Sequence, residues 1–297
     1  AIIVAFLFVQ ACTSKALILP TGPGKFYPDY QSAILTATTR CSAVETLGAE
    51  LTVSGRAGHD RLRSRVLAGL AQPGSVRLEG VAPFGGPTFI LTATPTHSTL
   101  LLPRDSRVLV GVPAQDILDA LIGVRLAPDV LRRALSGCLL SSSEPVDGRV
   151  YGTKWLVVEM RDGDENYLQF DNDLAKLVAV RSGNLLTKYS DFLGAMPRRV
   201  QMTRFGVSGA IEVEVTVLLA QIRVNTPLSK EIFSVDIPTT FVPNTLENLR
   251  SAGPMSVLGR SPSFRSFKER PINYYFGKNS SDDAKKSSDS GVRENQS

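Results

Sequence analysis

With 297 residues, of which 43% are hydrophobic and 21% charged, the chain can hold one large β domain or two ordinary ones around a sizeable core. Its formal charge of +5 is spread along the chain without an aromatic-rich basic motif. That distribution argues against nucleic acid as a partner and suits an anionic membrane surface better.

Residues 1–11 (AIIVAFLFVQA) form an apolar run too short to span a bilayer as a helix, so they read as the h-region of a signal peptide. Val9, Ala11 and Cys12 stand at the spacing of a bacterial lipobox: an aliphatic residue three places before the Cys and a small one immediately before it. Gln10 departs from the usual small residue between them. This spacing makes Cys12 the expected lipid-modified residue and ties the chain to a membrane. The run has no initiator Met or basic flank, so its true start is expected upstream. Residues 12–28, with their prolines and glycines, read as an extended tether.

The main domain is expected over 29–247. Asp29 or Ser32 can cap a first helix that carries Ala33, Ile34, Ala37 and Cys41 on one side. Strands follow at 46–55 and 62–71. In the second, Leu62, Ser64, Val66, Ala68 and Leu70 alternate with Arg61, Arg63 and Arg65, so one face is wet and the other is not. Residues 76–94 read as a hairpin around Pro83-Phe84-Gly85-Gly86-Pro87, and extended runs recur at 100–102 and 107–111.

The period then changes from two to 3.6 residues. Ile117, Leu118, Leu121 and Ile122 form one apolar stripe, and Val130, Leu131, Ala134 and Leu135 repeat the spacing. Pro128 suits the first position of the second helix, and Gly137 is placed to stop it. Both stripes need an apolar partner, so this helical pair reads as a lid. Residues 141–148 read as a polar loop turning at Asp147-Gly148.

An up-and-down meander occupies 154–224, with turns at Asp162-Gly163-Asp164, Asp171-Asn172-Asp173 and Gly183-Asn184. A last short strand is expected over 233–237. The fold class is therefore mainly β with an α lid: an unclosed, strongly curved antiparallel barrel of roughly eleven strands, covered by the N-terminal helix and the helical pair. From Asn248 the composition turns to Ser, Arg, Lys, Pro and Asp, and 248–297 is expected to be disordered. Its one apolar patch is Tyr274-Tyr275-Phe276.

Chemistry-bearing patterns are scarce. His59 and His97 lack neighbouring ligands at metal spacing, and no nucleophile elbow, P-loop or dinucleotide fingerprint follows a strand. Asp162, Asp164 and Asn166 begin like a calcium loop, but Tyr167 stands where that loop needs Gly, so a hairpin turn is the better reading. No metal, cofactor or catalytic residue is expected, and the chain does not read as an enzyme. Once Cys12 is acylated, Cys41 and Cys138 remain as an even pair. A disulfide is one reading. Two separate small hydrophobes is the favoured one, because nothing in the sequence brings them together.

The lipobox, the hairpin Ala82-Pro83-Phe84-Gly85 after Arg77-Leu78, the helical pair, and the closing runs Met196-Pro197 and Asn225-Thr226-Pro227-Leu228 together resemble the LolA/LolB lipoprotein-sorting superfamily, most nearly its LolB branch. The resemblance covers about residues 30–240. It implies an open barrel whose lid encloses an apolar cavity for acyl chains of lipoproteins or lipids. In that case Ile117, Leu118, Leu121, Ile122, Val130, Leu131 and Leu135 would line the cavity. It also implies a monomer in the bacterial envelope, anchored to the outer membrane and facing the periplasm, that receives cargo from a soluble LolA-like carrier. Phe84 then matches the protruding apolar residue that hands cargo to the membrane. The long tail and enlarged meander are not LolB features. They motivate an alternative, an envelope lipoprotein of the same fold that acts as a sensor or scaffold through its tail.

Overall fold

A computed structural model describes residues 17–82, 86–139, 143–171 and 174–253, apart from the side chains of Arg40 and Leu174. The lipobox Cys12, the loop residue Phe84 and the Tyr274-Tyr275-Phe276 patch lie outside these described residues.

The chain opens with β1 (Lys25–Phe26) and α1 (Tyr30–Ser42), then winds a first meander. Its strands are β2 (Thr46–Ala57), β3 (Asp60–Ala71), β4 (Ser75–Val81), β5 (Ile90–Ala93), β6 (Ser98–Leu102) and β7 (Arg107–Val110). Helices α2 (Ala114–Ile122) and α3 (Pro128–Leu135) follow. The second meander runs through β8 (Pro145–Tyr151), β9 (Trp155–Met160), β10 (Glu165–Asp171), β11 (Leu174–Ser182), β12 (Leu185–Leu193), β13 (Met196–Phe205) and β14 (Ile211–Val224). A 3-10 turn (Lys230–Phe233), β15 (Val242–Pro243) and α4 (Leu246–Ala252) complete it.

All these strands join one 15-stranded sheet in the order β1-β8-β9-β10-β11-β12-β13-β14-β2-β3-β4-β5-β6-β7-β15. The last strand of the second meander closes on the first strand of the first, with Val213 opposite Ala57 and Leu219 opposite Leu51. Pairing is antiparallel except between β15 and β7. Among the described residues β1 and β15 do not pair, so the sheet is curved but unclosed.

Alternation decides which face is inside. Leu47, Ala49, Leu51 and Val53 of β2, Leu62, Val66, Ala68 and Leu70 of β3, and Val213, Val215, Val217 and Leu219 of β14 are all buried in one core with the helices. The predicted arginine face of β3 is the convex one, where Arg65 pairs with Glu50.

Five expectations are corrected by this architecture. Among the described residues the strands number fifteen, not about eleven. The polar loop at 141–148 gives way at Pro145 to β8, in which Asp147 and Gly148 are ladder residues rather than a turn. Pro is tolerated as the first residue of a strand, and Gly148 is needed because a Cβ there would stand 2.1 Å from Tyr30 Cβ of α1. Residues 233–237 form no strand. The chain at this point is a strap across the convex face, with Leu228 packed on Leu67 and the carbonyls of Ile232 and Ser234 accepting from Arg77. The described part of the proposed tether, from residue 17 on, belongs to the domain: Leu17 and Leu19 pack on a convex apolar cluster around Tyr167, Val178 and Leu186, and Lys188 Nζ donates to the Leu17 carbonyl at 3.1 Å. Finally, the compositional boundary at 248 falls inside α4, whose Leu249 is buried in the main core. Leu249, with Leu246 half-buried beside it, docks this short helix within an otherwise polar stretch.

Candidate functional site

The concave face of the sheet and the helices laid on it form the candidate site. Helix α1 begins at the edge of the second meander, over β8, and ends over β11. Helix α3 packs on β3, β4 and β13 from the other side. Their C-terminal ends meet. Cys41 and Cys138 are joined in a disulfide with Cα atoms 5.3 Å apart, against the expectation of two separate hydrophobes. The sequence separation of 97 hides this contact, which the topology creates by folding the lid back onto α1.

Local chemistry positions α3 closely. Pro128 opens it without losing a hydrogen bond, and Gly137 turns it off with φ +80°. Arg132, nearly fully buried, is held by Asp129 at 2.7 Å, and its Nη1 donates to the Val44 carbonyl in the connection that follows α1. The lid is thus tied to α1 by a covalent bond and by a buried guanidinium. Helix α2 is held differently. It packs against α4, and Asp119 faces Arg204 at 3.4 Å and Arg250 at 3.9 Å.

Ile117, Leu118, Leu121, Leu131 and Leu135 are buried in the main core, and Ile122 and Val130 pack against it half-buried. Their stripes are met by protein side chains. Of the clefts that open among the described residues, two stand out, and none of these lid residues lines either one. An apolar stripe records only that apolar atoms face it, and the sequence cannot say whether these belong to the protein or to a ligand.

The first cleft, about 370 Å³, lies between the loop carrying His97 and the starts of α2 and α3. His97 Nδ1 and Thr96 Oγ1 are 2.8 Å apart there, in an exposed turn. The second cleft, about 270 Å³, opens at the junction of α1 and α3. Ala37, Cys41, Gly137, Ala175, Leu177 and Phe192 line it, and the ammonium of Lys176 stands 4.6 Å from the centre of the Phe192 ring at its rim.

Below this second cleft the concave face changes character. Leu177 is the register partner of Leu168, and one inward position further along β10 comes Asn166. Asn166 opposes Val180, which in turn opposes Thr187 on β12. Tyr189 follows two residues later on the same face. Asn166 and Thr187 are 0% exposed and Tyr189 1%. None of their side-chain polar atoms has a hydrogen-bond partner: Asn166 Nδ2 and Oδ1, Thr187 Oγ1 and Tyr189 Oη are all unpaired. The Tyr189 hydroxyl faces the Leu139 backbone without closing a bond of ordinary geometry. Burial raises its pKa far above the ordinary phenol range, outweighing the opposite pull of Leu139 and Arg133, so it stays a neutral donor. Each unpaired group costs about 1 to 3 kcal/mol.

Sequence reasoning found both lid stripes but missed this floor. Asn166 read as part of a turn series, and Thr187 and Tyr189 as ordinary strand residues. The available signal was alternation: in each strand these positions fall on the face that otherwise carries Leu, Val and Met. The Asp162-Gly163-Asp164 segment is a hairpin turn, with Gly163 N donating to the Met160 carbonyl at 2.9 Å. Among the described residues no cluster of three or more His, Cys, Asp or Glu side chains is placed to hold a metal, and no helix is long and apolar enough to cross a membrane.

No family model and no curated protein matches the chain. Several solved structures share part of its layout. A LolA superfamily protein from Nitrosomonas europaea is 12% identical with a TM-score of 0.44, covering 69% of this chain and 97% of its own. A DUF1329 family protein from Desulfovibrio piger is 11% identical with a TM-score of 0.40, covering 70% and 97%. The lipoprotein LppX from Mycobacterium tuberculosis is 9% identical with a TM-score of 0.29, covering 68% and 98%. Likeness at this level leaves the function to be argued from the chain's own residues.

Proposed function

We propose that this protein is a non-enzymatic carrier that binds acyl chains of lipoproteins or lipids between the concave face of its sheet and its helical lid. The observation that carries this reading is the lid contact itself. Along α2 and α3 the helices meet the sheet through Ile117, Leu118, Leu121, Leu131 and Leu135. Shifting them would therefore uncover one contiguous apolar surface, and the unjoined sheet edges leave room to widen. Apolar surface is worth about 25 cal/mol per Å² removed from water, so an acyl chain is the natural occupant.

In this proposal the mature chain is held in the bacterial envelope through lipidated Cys12. It works as a monomer facing the periplasm, accepts cargo from a soluble LolA-like carrier, and passes it to the outer membrane through a loop carrying Phe84. The lipobox spacing and the sequence resemblance support these finer steps. The test pairs binding with delivery: protein extracted from membranes is expected to carry lipid detectable by mass spectrometry, and Phe84→Glu to bind acyl chains normally while transferring them to liposomes far more slowly. Absence of lipid and of affinity for acylated peptides defeats the proposal.

One observation favours a second reading. The lid stripes are packed by protein side chains of the main core, and neither of the two clefts described above reaches them. A sensor or scaffold acting through its tail would look the same. Removing residues 254–297, which leaves α4 in place, abolishes the main interaction of a scaffold and leaves lipid binding of a carrier unchanged.

A further inference from the structure

The concave face of β10–β12 holds a feature that packing alone does not require. Adjacent strands are about 4.8 Å apart, so Asn166 and Thr187, in one row across Val180, have backbones about 10 Å apart. Tyr189, two residues along the same face, is about 7 Å from Thr187. The three side chains carry two amide protons, an amide oxygen and two hydroxyls on one buried face, and none of these atoms closes a hydrogen bond. They are fully enclosed by protein atoms, so no water-sized space touches Asn166 or Thr187 in this conformation. Buried polar groups are ordinarily satisfied, and a cluster of them in a native interior calls for a ligand or a function.

We infer that Asn166, Thr187 and Tyr189 form a polar recognition site for the uncharged linkage at the head of an acyl chain, an ester or amide group, reached through the cleft between α1 and α3. This inference rests on the carrier reading and adds to it where the head of the ligand sits. Three features specify a neutral linkage. The floor contains no carboxylate or cation of its own. The nearest charge acting on Tyr189, Arg133, is already engaged by Asp129 at 3.2 Å. A mixture of amide donors, an amide acceptor and hydroxyls that can act as either fits a carbonyl flanked by a hydroxyl or N–H better than it fits an ion.

The cleft and the polar row lie on one inward face. Leu177 lines the open cleft and belongs to the same inward face as Val180, which lies between Asn166 and Thr187. Cys41 lines that cleft, and its bond to Cys138 keeps the ends of α1 and α3 together, so the head is admitted beside a fixed covalent tie while the chain extends beneath the rest of the lid.

The experiment compares two probes of equal chain length, radiolabelled 1-monopalmitoylglycerol and hexadecane, in equilibrium binding to the full chain. The proteins are wild type, Asn166→Leu, Thr187→Val and the double variant. Wild type is expected to prefer the monoacylglycerol. The double variant is expected to lose about tenfold in affinity for it while hexadecane binding stays unchanged, the fold-change of one to two lost hydrogen bonds. Because both substitutions replace unpaired polar atoms with apolar ones of similar shape, the ligand-free variants are expected to melt about 2 to 4 °C higher than wild type.

Equal affinity of wild type and double variant for the monoacylglycerol, with both probes bound, overturns the polar site and leaves the carrier reading standing. A lower melting temperature in both variants shows that the side chains serve the fold and also overturns the site. Failure of wild type to bind either probe overturns the carrier reading and the site with it.

Discussion

On the concave face of β2–β7 the buried hydroxyls of Ser64 and Ser98 donate to the carbonyls of Arg65 and Val112. On β10–β12, under the α1–α3 junction, Asn166 and Thr187 reach no acceptor or donor, and Tyr189 faces the Leu139 backbone without closing a bond of ordinary geometry. Thr88, just before β5, is the exception on the first side. Both regions bury Leu and Val in the same core. The difference teaches that one half of the interior is finished as packing, while the other keeps polar groups at a cost that its own contacts do not return. A similar contrast holds in the lid. Helix α3 is fastened by a disulfide and by buried Arg132, whereas α2 is held by partly exposed ion pairs to Arg204 and Arg250, a class of contact worth about 0 to 1 kcal/mol.

The sharpest way to break that contrast is to unfasten α3. Replacing both Cys41 and Cys138 by Ala opens a loop of 97 residues in sequence separation and is expected to cost about 4 to 5 kcal/mol, read as a lower midpoint in guanidinium. A loss below 1 kcal/mol would show that α3 is no more firmly held than α2.

A smaller effect is expected on the α2 side. Leu249→Ala removes the one α4 side chain buried in the core, and about 2 to 3 kcal/mol of stability should go with it. Hydrogen exchange should then rise in α2, the neighbour of α4, and stay low in α3. An unchanged midpoint would return α4 to the tail.

The smallest effect sharpens the comparison through pH. Burial holds the Tyr189 proton well above its ordinary value near 10, so the folded state keeps a proton that the unfolded chain gives up. The stability contributed in this way is complete below pH 10 and falls as pH rises beyond it. Tyr189→Phe is therefore expected to flatten the alkaline limb of the stability profile between pH 9 and about 11. An identical alkaline slope in the variant would place the hydroxyl in contact with water and remove it from the enclosed floor.

Much of this fold was legible because its signals are periodic. The alternation in β3, the 3.6-residue stripes of α2 and α3, Pro128 and Gly137 at the ends of α3, and the Gly183-Asn184 turn all express local geometry, and the structure has each in place. What was not legible depends on long-range contact. Strand β8 carries Pro145, Asp147 and Gly148, poor strand formers one by one, and exists because β9 pairs with it and Tyr30 packs on Gly148. The disulfide depends on the lid returning to α1. Leu17 and Leu19 read as a tether because their partners, Tyr167 and Leu186, lie far along the chain. Of the candidate site, the lid stripes were visible as pattern, but whether they face side chains or a ligand was not. The polar floor was hidden because Asn166 reads as a turn residue and Thr187 and Tyr189 as ordinary strand residues, and only the register brings them onto one face.

The central claim is that acyl chains lie beneath the lid, with their heads toward the α1–α3 junction. The most direct measurement loads the full chain with a monoacylglycerol bearing a photoactivatable diazirine in its acyl tail, irradiates it, and maps the attachment sites by peptide mass spectrometry. The account predicts attachment to concave-face and lid residues such as Leu177, Leu131 and Ile117, and competition by unlabelled monoacylglycerol. Attachment confined to the convex cluster around Trp155 and Leu186, or no saturable attachment at all, would contradict it.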